Sequence, residues 1–136
     1  MKHELQNIIS GKSQVRYGDA IQAIACYLKR GKSTGSEAKT GKQIKSEEAT
    51  LIKQYCDQNN FWNNQIDITS FISSGAEQKV YLHNEYQVFK LNDAIYYSSW
   101  EDYFNNLLLN NYFFPDTAYQ LVGFYQSEGI LYAVVE

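Results

Sequence analysis

Residues 74–91 read SGAEQKVYLHNEYQVFKL, and the fold turns on how this stretch is interpreted. Residues 79–82 and 85–91 are β-rich runs, and His83-Asn84 between them fits a tight turn, so the stretch predicts an antiparallel hairpin. Working outward, Ile66, Ile68 and residues 69–72 predict a strand before it. After it, residues 100–111 resume helical spacing through Tyr103, Phe104, Leu107 and Leu108. Pro115 ends that helix. Residues 119–125 and 130–136, divided by Ser127-Glu128-Gly129, predict a second hairpin. Three strands, one helix and two strands predict an antiparallel sheet covered on one face, in an α+β chain.

The N-terminal part has another character. Residues 1–53 hold ten Lys/Arg and five Asp/Glu, a net +5, whereas residues 54–136 hold two and ten, a net −8. Of the aromatic residues, only Tyr17 and Tyr27 precede residue 54. Asp19 is an N-cap candidate with Gln22 three residues on. Ile21, Ile24, Ala25 and Leu28 follow at helical spacing, and Gly31 suits a C-terminus. Residues 31–45, rich in glycine and lysine, predict a flexible, solvated loop. Ser46, Glu47 and Glu48 predict the start of a second helix, because acids suit the positive end of the dipole. Ala49, Ile52, Tyr55 and Cys56 form its apolar face. Residues 4–10 predict a further helical turn or two. The expected division is a basic helical region, 1–60, and a sheet region, 66–136.

A chain of 136 residues with 44% apolar and 15% aromatic residues is long enough for one real core and excludes wholesale disorder. Two cysteines exclude a disulfide framework. Cys26 and Cys56 are expected in the core. No apolar run approaches the ~20 residues that cross a bilayer, and no signal-peptide core opens the chain. A soluble, reduced, cytoplasmic protein is the expectation, without a membrane partner. Gly11-Lys12-Ser13 and Gly31-Lys32-Ser33 end like a Walker loop, but Gln6 and Cys26 stand where its first glycine belongs. His3 and His83 are isolated and give no metal spacing. The basic run 29–45 lacks interleaved aromatics, so a nucleic-acid partner is not expected. Tyr96, Tyr97 and Trp100 are expected to pack the helix onto the sheet.

Ser74-Gly75-Ala76-Glu77-Gln78-Lys79-Val80-Tyr81 resembles a protein-kinase glycine-rich loop ending in its valine. Val88-Phe89-Lys90 resembles the kinase strand that carries the nucleotide lysine, and Tyr132-Ala133-Val134-Val135-Glu136 the strand that enters the hinge. More narrowly, these segments with Asn111-Tyr112-Phe113-Phe114-Pro115 and Tyr119-Gln120-Leu121-Val122-Gly123-Phe124 resemble the kinase-like domain of polyvalent proteins, which are multi-domain proteins of phages and conjugative elements. The resemblance covers about residues 66–136. It implies a kinase-like small lobe with a five-stranded antiparallel sheet and one helix. It implies Lys90 as the catalytic-site cation and Gly75, Val80, Val88, Lys90 and Glu136 as nucleotide-binding residues. Glu77 and Glu101 are the candidate partners of Lys90. ATP is the implied ligand, with magnesium only where a C-terminal lobe is present.

The chemistry agrees with that assignment. Phosphates want backbone N–H groups from a glycine-permissive hairpin and one fixed cation. Adenine wants aliphatic walls, which Val80 and Val88 supply, and a backbone carbonyl, expected at Glu136. Gly75 and Lys90 should then face one pocket. Two departures stand out: Ser73 and Gln78 occupy the places of the other two loop glycines, and neither H-R-D nor D-F-G occurs. The chain alone is therefore expected not to be catalytically self-sufficient, its partner being the missing lobe or another protein. The alternatives are a non-catalytic protein-interaction module and, more weakly, a nucleic-acid accessory protein.

Overall fold

The structure is a computed structural model, and it describes residues 2–32, 40–75, 78–84 and 86–136. Residues 33–39, the centre of the expected flexible loop, and Glu77 lie outside the described residues. The elements run α1 (Lys2–Ser10), α2 (Gly18–Gly31), α3 (Gly41–Asn59), β1 (Phe71–Ser74), β2 (Gln78–Leu82), β3 (Val88–Asn92), α4 (Trp100–Phe113), β4 (Leu121–Ser127) and β5 (Ile130–Val135). The fold is α+β, as expected, with one five-stranded sheet in the order β1-β2-β3-β5-β4 and every pairing antiparallel.

The helix starts differ from expectation for local reasons. Helix α2 opens one residue before Asp19, after Tyr17 in the left-handed region (φ 57°), and has no side-chain cap. Gln22 is drawn away from capping because its Nε2 donates to the Ile8 carbonyl at 2.7 Å, closing the end of α1. Helix α3 begins at Gly41 rather than Ser46: Thr40 and Gln43 form a reciprocal capping box, which outweighs the glycine and lysines around it. The basic run is correspondingly less solvated than expected. Lys45 donates to the Ala94 carbonyl at 2.8 Å. Gly31 ends α2 where a Cβ would meet Leu51 Cδ2 at 2.7 Å, so its role is close helix approach.

The strands shift too. Asp67 accepts from the Thr69 N–H and both the Thr69 and Ser70 hydroxyls, winding residues 68–70 into a 3₁₀ turn and delaying β1 to Phe71. The β2–β3 connection is wider than His83-Asn84, since the Gln87 carbonyl accepts from both of their N–H groups, at 3.1 and 3.2 Å. The β4–β5 turn has positive φ at Glu128 (53°) and Gly129 (79°), suiting a tight hairpin.

One buried cluster joins the helical and sheet regions: Ile8, Ile21, Ile24, Leu28, Ile52 and Cys56 pack with Trp100, Phe104, Phe124, Ala133 and Val135. Trp100, Phe104 and Phe124 pack against one another, edge-on or tilted, at centroid distances of 5.8–6.1 Å. Trp100 and Tyr97 thus join helix to sheet as expected, while Tyr96 is exposed. Cys56 is buried, and burial followed by the charge of Asp57 pushes its thiol up to about 12. Cys26, expected in the core, is exposed, because the apolar stripe of α2 runs through its neighbours Ala25 and Leu28. A smaller cluster of Phe89, Leu91, Tyr132 and Val134 covers the other sheet face.

Residues 61–63 close the free edge of β4. The Phe124 N–H donates to the Phe61 carbonyl at 3.1 Å, and the Asn63 N–H donates to the Phe124 carbonyl at 2.8 Å. This approach requires Gly123, which has φ 144° and sits where a Cβ would lie 2.8 Å from the Phe61 carbonyl oxygen. Gly123→Ala is expected to destabilise by about 2 kcal/mol, through strained backbone and a backbone collision. Chemical denaturation checks this, and an unchanged midpoint would refute it.

Candidate functional site

Strand alternation decides which residues meet. The pairs Val80↔Lys90 and Leu82↔Val88 put Val80, Val88 and Lys90 on one sheet face. The pairs Lys90↔Val135 and Asn92↔Ala133 carry that face onto β5, where Val135 and Ala133 lie in the core under the helices. Lys90 therefore emerges from the helix-side face, at the border between the covered β5 half and the half-buried valine of β2. Its ammonium lies 3.4 Å from the Tyr119 hydroxyl and 4.9 Å from the centre of that ring.

Lys79 is one step out of phase and points the other way. It pairs with Leu91 and lies over Tyr132, with Nζ 3.4 Å from the hydroxyl and 5.3 Å from the ring centre. The hydrogen bond to Tyr132 and its charge hold this ammonium above its ordinary value. Gly75 shares a cavity of about 190 Å³ with Lys79, Leu91, Asp93 and Tyr132. Gly75 and Lys90 were expected to face one pocket, but among the described residues the lining of this cavity includes Lys79 and not Lys90. The Gly75 N–H is also already bonded, to the Gln78 carbonyl at 2.8 Å.

Two further expectations are corrected. Glu136 extends the β4–β5 ladder: its N–H donates to the Gln120 carbonyl at 2.9 Å, and its carbonyl accepts from the Gln120 N–H at 3.2 Å. The carbonyl expected to meet adenine therefore has an internal partner. Glu136 lines a cavity of about 400 Å³ with Phe89 and Val122, away from the Lys90 face. Glu101 does not reach Lys90. It meets Lys32, whose Nζ lies 3.4 Å from Oε1 of Glu101 and 2.7 Å from Oε2 of the fully buried Glu48. Burial alone would lower the Lys32 ammonium, but the hydrogen bond and charge of Glu48, reinforced by Glu101, raise it above 10.5.

The spacing gave no hint of the partner Lys90 has. Tyr119 is held by Asn111, which is fully buried at the end of α4. The Tyr119 N–H donates to Asn111 Oδ1 at 2.9 Å, and Asn111 Nδ2 donates to the carbonyls of Tyr119 (2.8 Å) and Arg16 (3.1 Å). Nearby, Tyr103 is buried, which pushes its phenol up, and its hydroxyl finds no partner among the described residues. No three His, Cys, Asp or Glu side chains are grouped to hold a metal ion among the described residues. No helix is long and apolar enough to cross a membrane among the described residues.

An antiparallel five-stranded sheet, a helix between its third and fourth strands, and a lysine on the third strand are consistent with the small lobe of a kinase-like domain. Residues 45–136 match the family model of the serine/threonine/tyrosine kinase found in polyvalent proteins, and the chain belongs to that family. The match reaches back into α3, upstream of residue 66 where the resemblance was expected to begin. No curated protein and no solved structure matches the chain.

Proposed function

We propose that this chain is the nucleotide-facing half of a kinase-like protein from a mobile element, with ATP as its ligand and Lys90 as the phosphate-binding cation. One observation carries the reading: the β2–β3 register puts Val80, Val88 and Lys90 on a single sheet face. Two half-buried aliphatic side chains beside a half-buried ammonium suit a flat base joined to a polyanion. The family supports the ligand class, since a kinase transfers phosphate from a nucleotide. In this reading the phosphate contact rests on Lys90 rather than on Gly75. The Glu136 carbonyl already accepts from the Gln120 N–H, so in this reading apolar packing against the valines is the base's main contact.

The test is calorimetric titration of ATP into the full chain. Lys90→Met is expected to weaken binding about tenfold or more, because a charge-assisted hydrogen bond contributes ~1.5–3 kcal/mol. Its melting temperature should stay unchanged. Equal affinity in the variant would overturn the reading.

A further inference from the structure

We infer that Tyr119 is the positioning residue of Lys90, its ring and hydroxyl together holding the ammonium where a phosphate chain can reach it. The inference rests on the nucleotide reading above and deepens it.

Of the two candidate carboxylate partners, Glu77 lies outside the described residues. Glu101 is engaged by Lys32, beside Glu48. Among the described residues Lys90 makes no ion pair; its contacts are the Tyr119 hydroxyl at 3.4 Å and the ring face at 4.9 Å. A ring quadrupole orients an ammonium without cancelling its charge. Among the described residues, a phosphate chain reaching Lys90 then has no carboxylate to displace.

A positioning group must itself be fixed, and Tyr119 is. Its N–H and carbonyl are both held by the buried amide of Asn111, at 2.9 and 2.8 Å. The Asn111 amide also reaches the Arg16 carbonyl at 3.1 Å, so the loop before α2 shares the same anchor. The next residue, Gln120, is locked to Glu136 in the sheet. Both backbone groups of Tyr119 are thus tied to a helix end, and the following residue to a strand end, with the ring left to reach under β3. The ligand class follows from the charge: an anion of several oxygens, which a free polyphosphate and the phosphate tail of a nucleotide share.

The experiment has two readouts on the full chain. The first is the chemical shift of the Lys90 Hε and Cε nuclei, which lie close enough to the Tyr119 ring to feel its current. The second is the dissociation constant for ATP, with inorganic tripolyphosphate as a parallel probe. In the wild type, Hε should be shifted upfield from an exposed lysine. Tyr119→Leu should remove the shift and weaken ATP about tenfold, the equivalent of ~1.4 kcal/mol. Tyr119→Phe, which keeps the ring, should keep the shift and bind within about threefold of wild type. It also guards against loss of fold in the leucine variant. Tripolyphosphate affected like ATP places the effect on the phosphates, as inferred; tripolyphosphate unaffected by Tyr119→Leu overturns it. Wild-type-like ATP binding by Tyr119→Leu, with Lys90→Met impaired, would sink this inference and leave the nucleotide reading standing. Wild-type-like binding by Lys90→Met would bring down both. An unshifted Lys90 Hε in the wild type would overturn the positioning role by itself.

Discussion

Replacing Glu48 by alanine is expected to lower stability by ~3–5 kcal/mol, the range for removing one member of a buried ion pair. Glu48 is fully buried, yet its carboxylate has no unmet need. Oε1 accepts from the Trp100 N–H at 2.7 Å, Oε2 accepts from the Glu101 N–H at 3.0 Å, and Lys32 Nζ lies 2.7 Å from Oε2. The next donor of that helix turn, the Asp102 N–H, is taken by the Ser99 hydroxyl at 3.0 Å. Helix α4 is therefore capped jointly by its own serine and by an acid from α3, with the anion at the positive end of the dipole. Alanine would strand two N–H groups and leave Lys32 only Glu101. Glu48→Gln keeps the shape but loses the charge, so its cost should be smaller, about half. Urea denaturation measures both, and an alanine variant with the wild-type midpoint would refute the account.

The same triad fixes a sign for pH. The Lys32 ammonium is raised above 10.5 in the folded chain, so folding favours its protonated form. Its contribution is complete below that ordinary value and fades as pH rises through the folded value. The stability gap between wild type and Lys32→Met should therefore be constant near neutrality and shrink in strong alkali. A gap that widens with pH would contradict the pairing.

The triad also shows where sequence legibility ended. The order of strands and helix was readable because period-two and helical spacing change cleanly after residue 66, and Pro115 and Ser127-Glu128-Gly129 punctuate the rest. Element boundaries were less readable wherever a side chain outcompeted a pattern. Asp67 wound an expected strand into a turn, and Thr40 with Gln43 started a helix inside a glycine-lysine run. The site was half legible. Strand phase alone put Val88 and Lys90 on one face; Val80 joins them only through the wider β2–β3 connection, since a two-residue turn at His83-Asn84 would have paired it with Gln87. The partners were not legible, because Lys32–Glu101 and Lys90–Tyr119 join residues 69 and 29 apart in sequence. Nothing in local spacing encodes such contacts. Glu101 was a sound candidate by charge; it was lost to Lys90 because a nearer lysine and the α4 N-terminus hold it elsewhere.

The second large effect is expected at Asn111. Asn111→Leu should cost about 3 kcal/mol, because it strands the half-buried Tyr119 N–H and carbonyl, each costing ~1–3 kcal/mol when unmet, and releases the Arg16 carbonyl to solvent. Leucine keeps the branching of asparagine but is bulkier, so overpacking adds to the lost hydrogen bonds. Asn111→Asp, which conserves volume, separates these causes. It keeps the acceptor for the Tyr119 N–H but turns the donating Nδ2, now 2.8 and 3.1 Å from two carbonyl oxygens, into a third oxygen. A purely steric role predicts that aspartate is tolerated; the hydrogen-bond role predicts damage comparable to leucine. Because the same amide fixes Tyr119, both variants should also loosen Lys90, and the upfield shift of its Hε should shrink in the folded fraction. A stable aspartate variant with an unchanged Lys90 signal would show that neither the α4–β4 junction nor the cation's placement depends on this side chain.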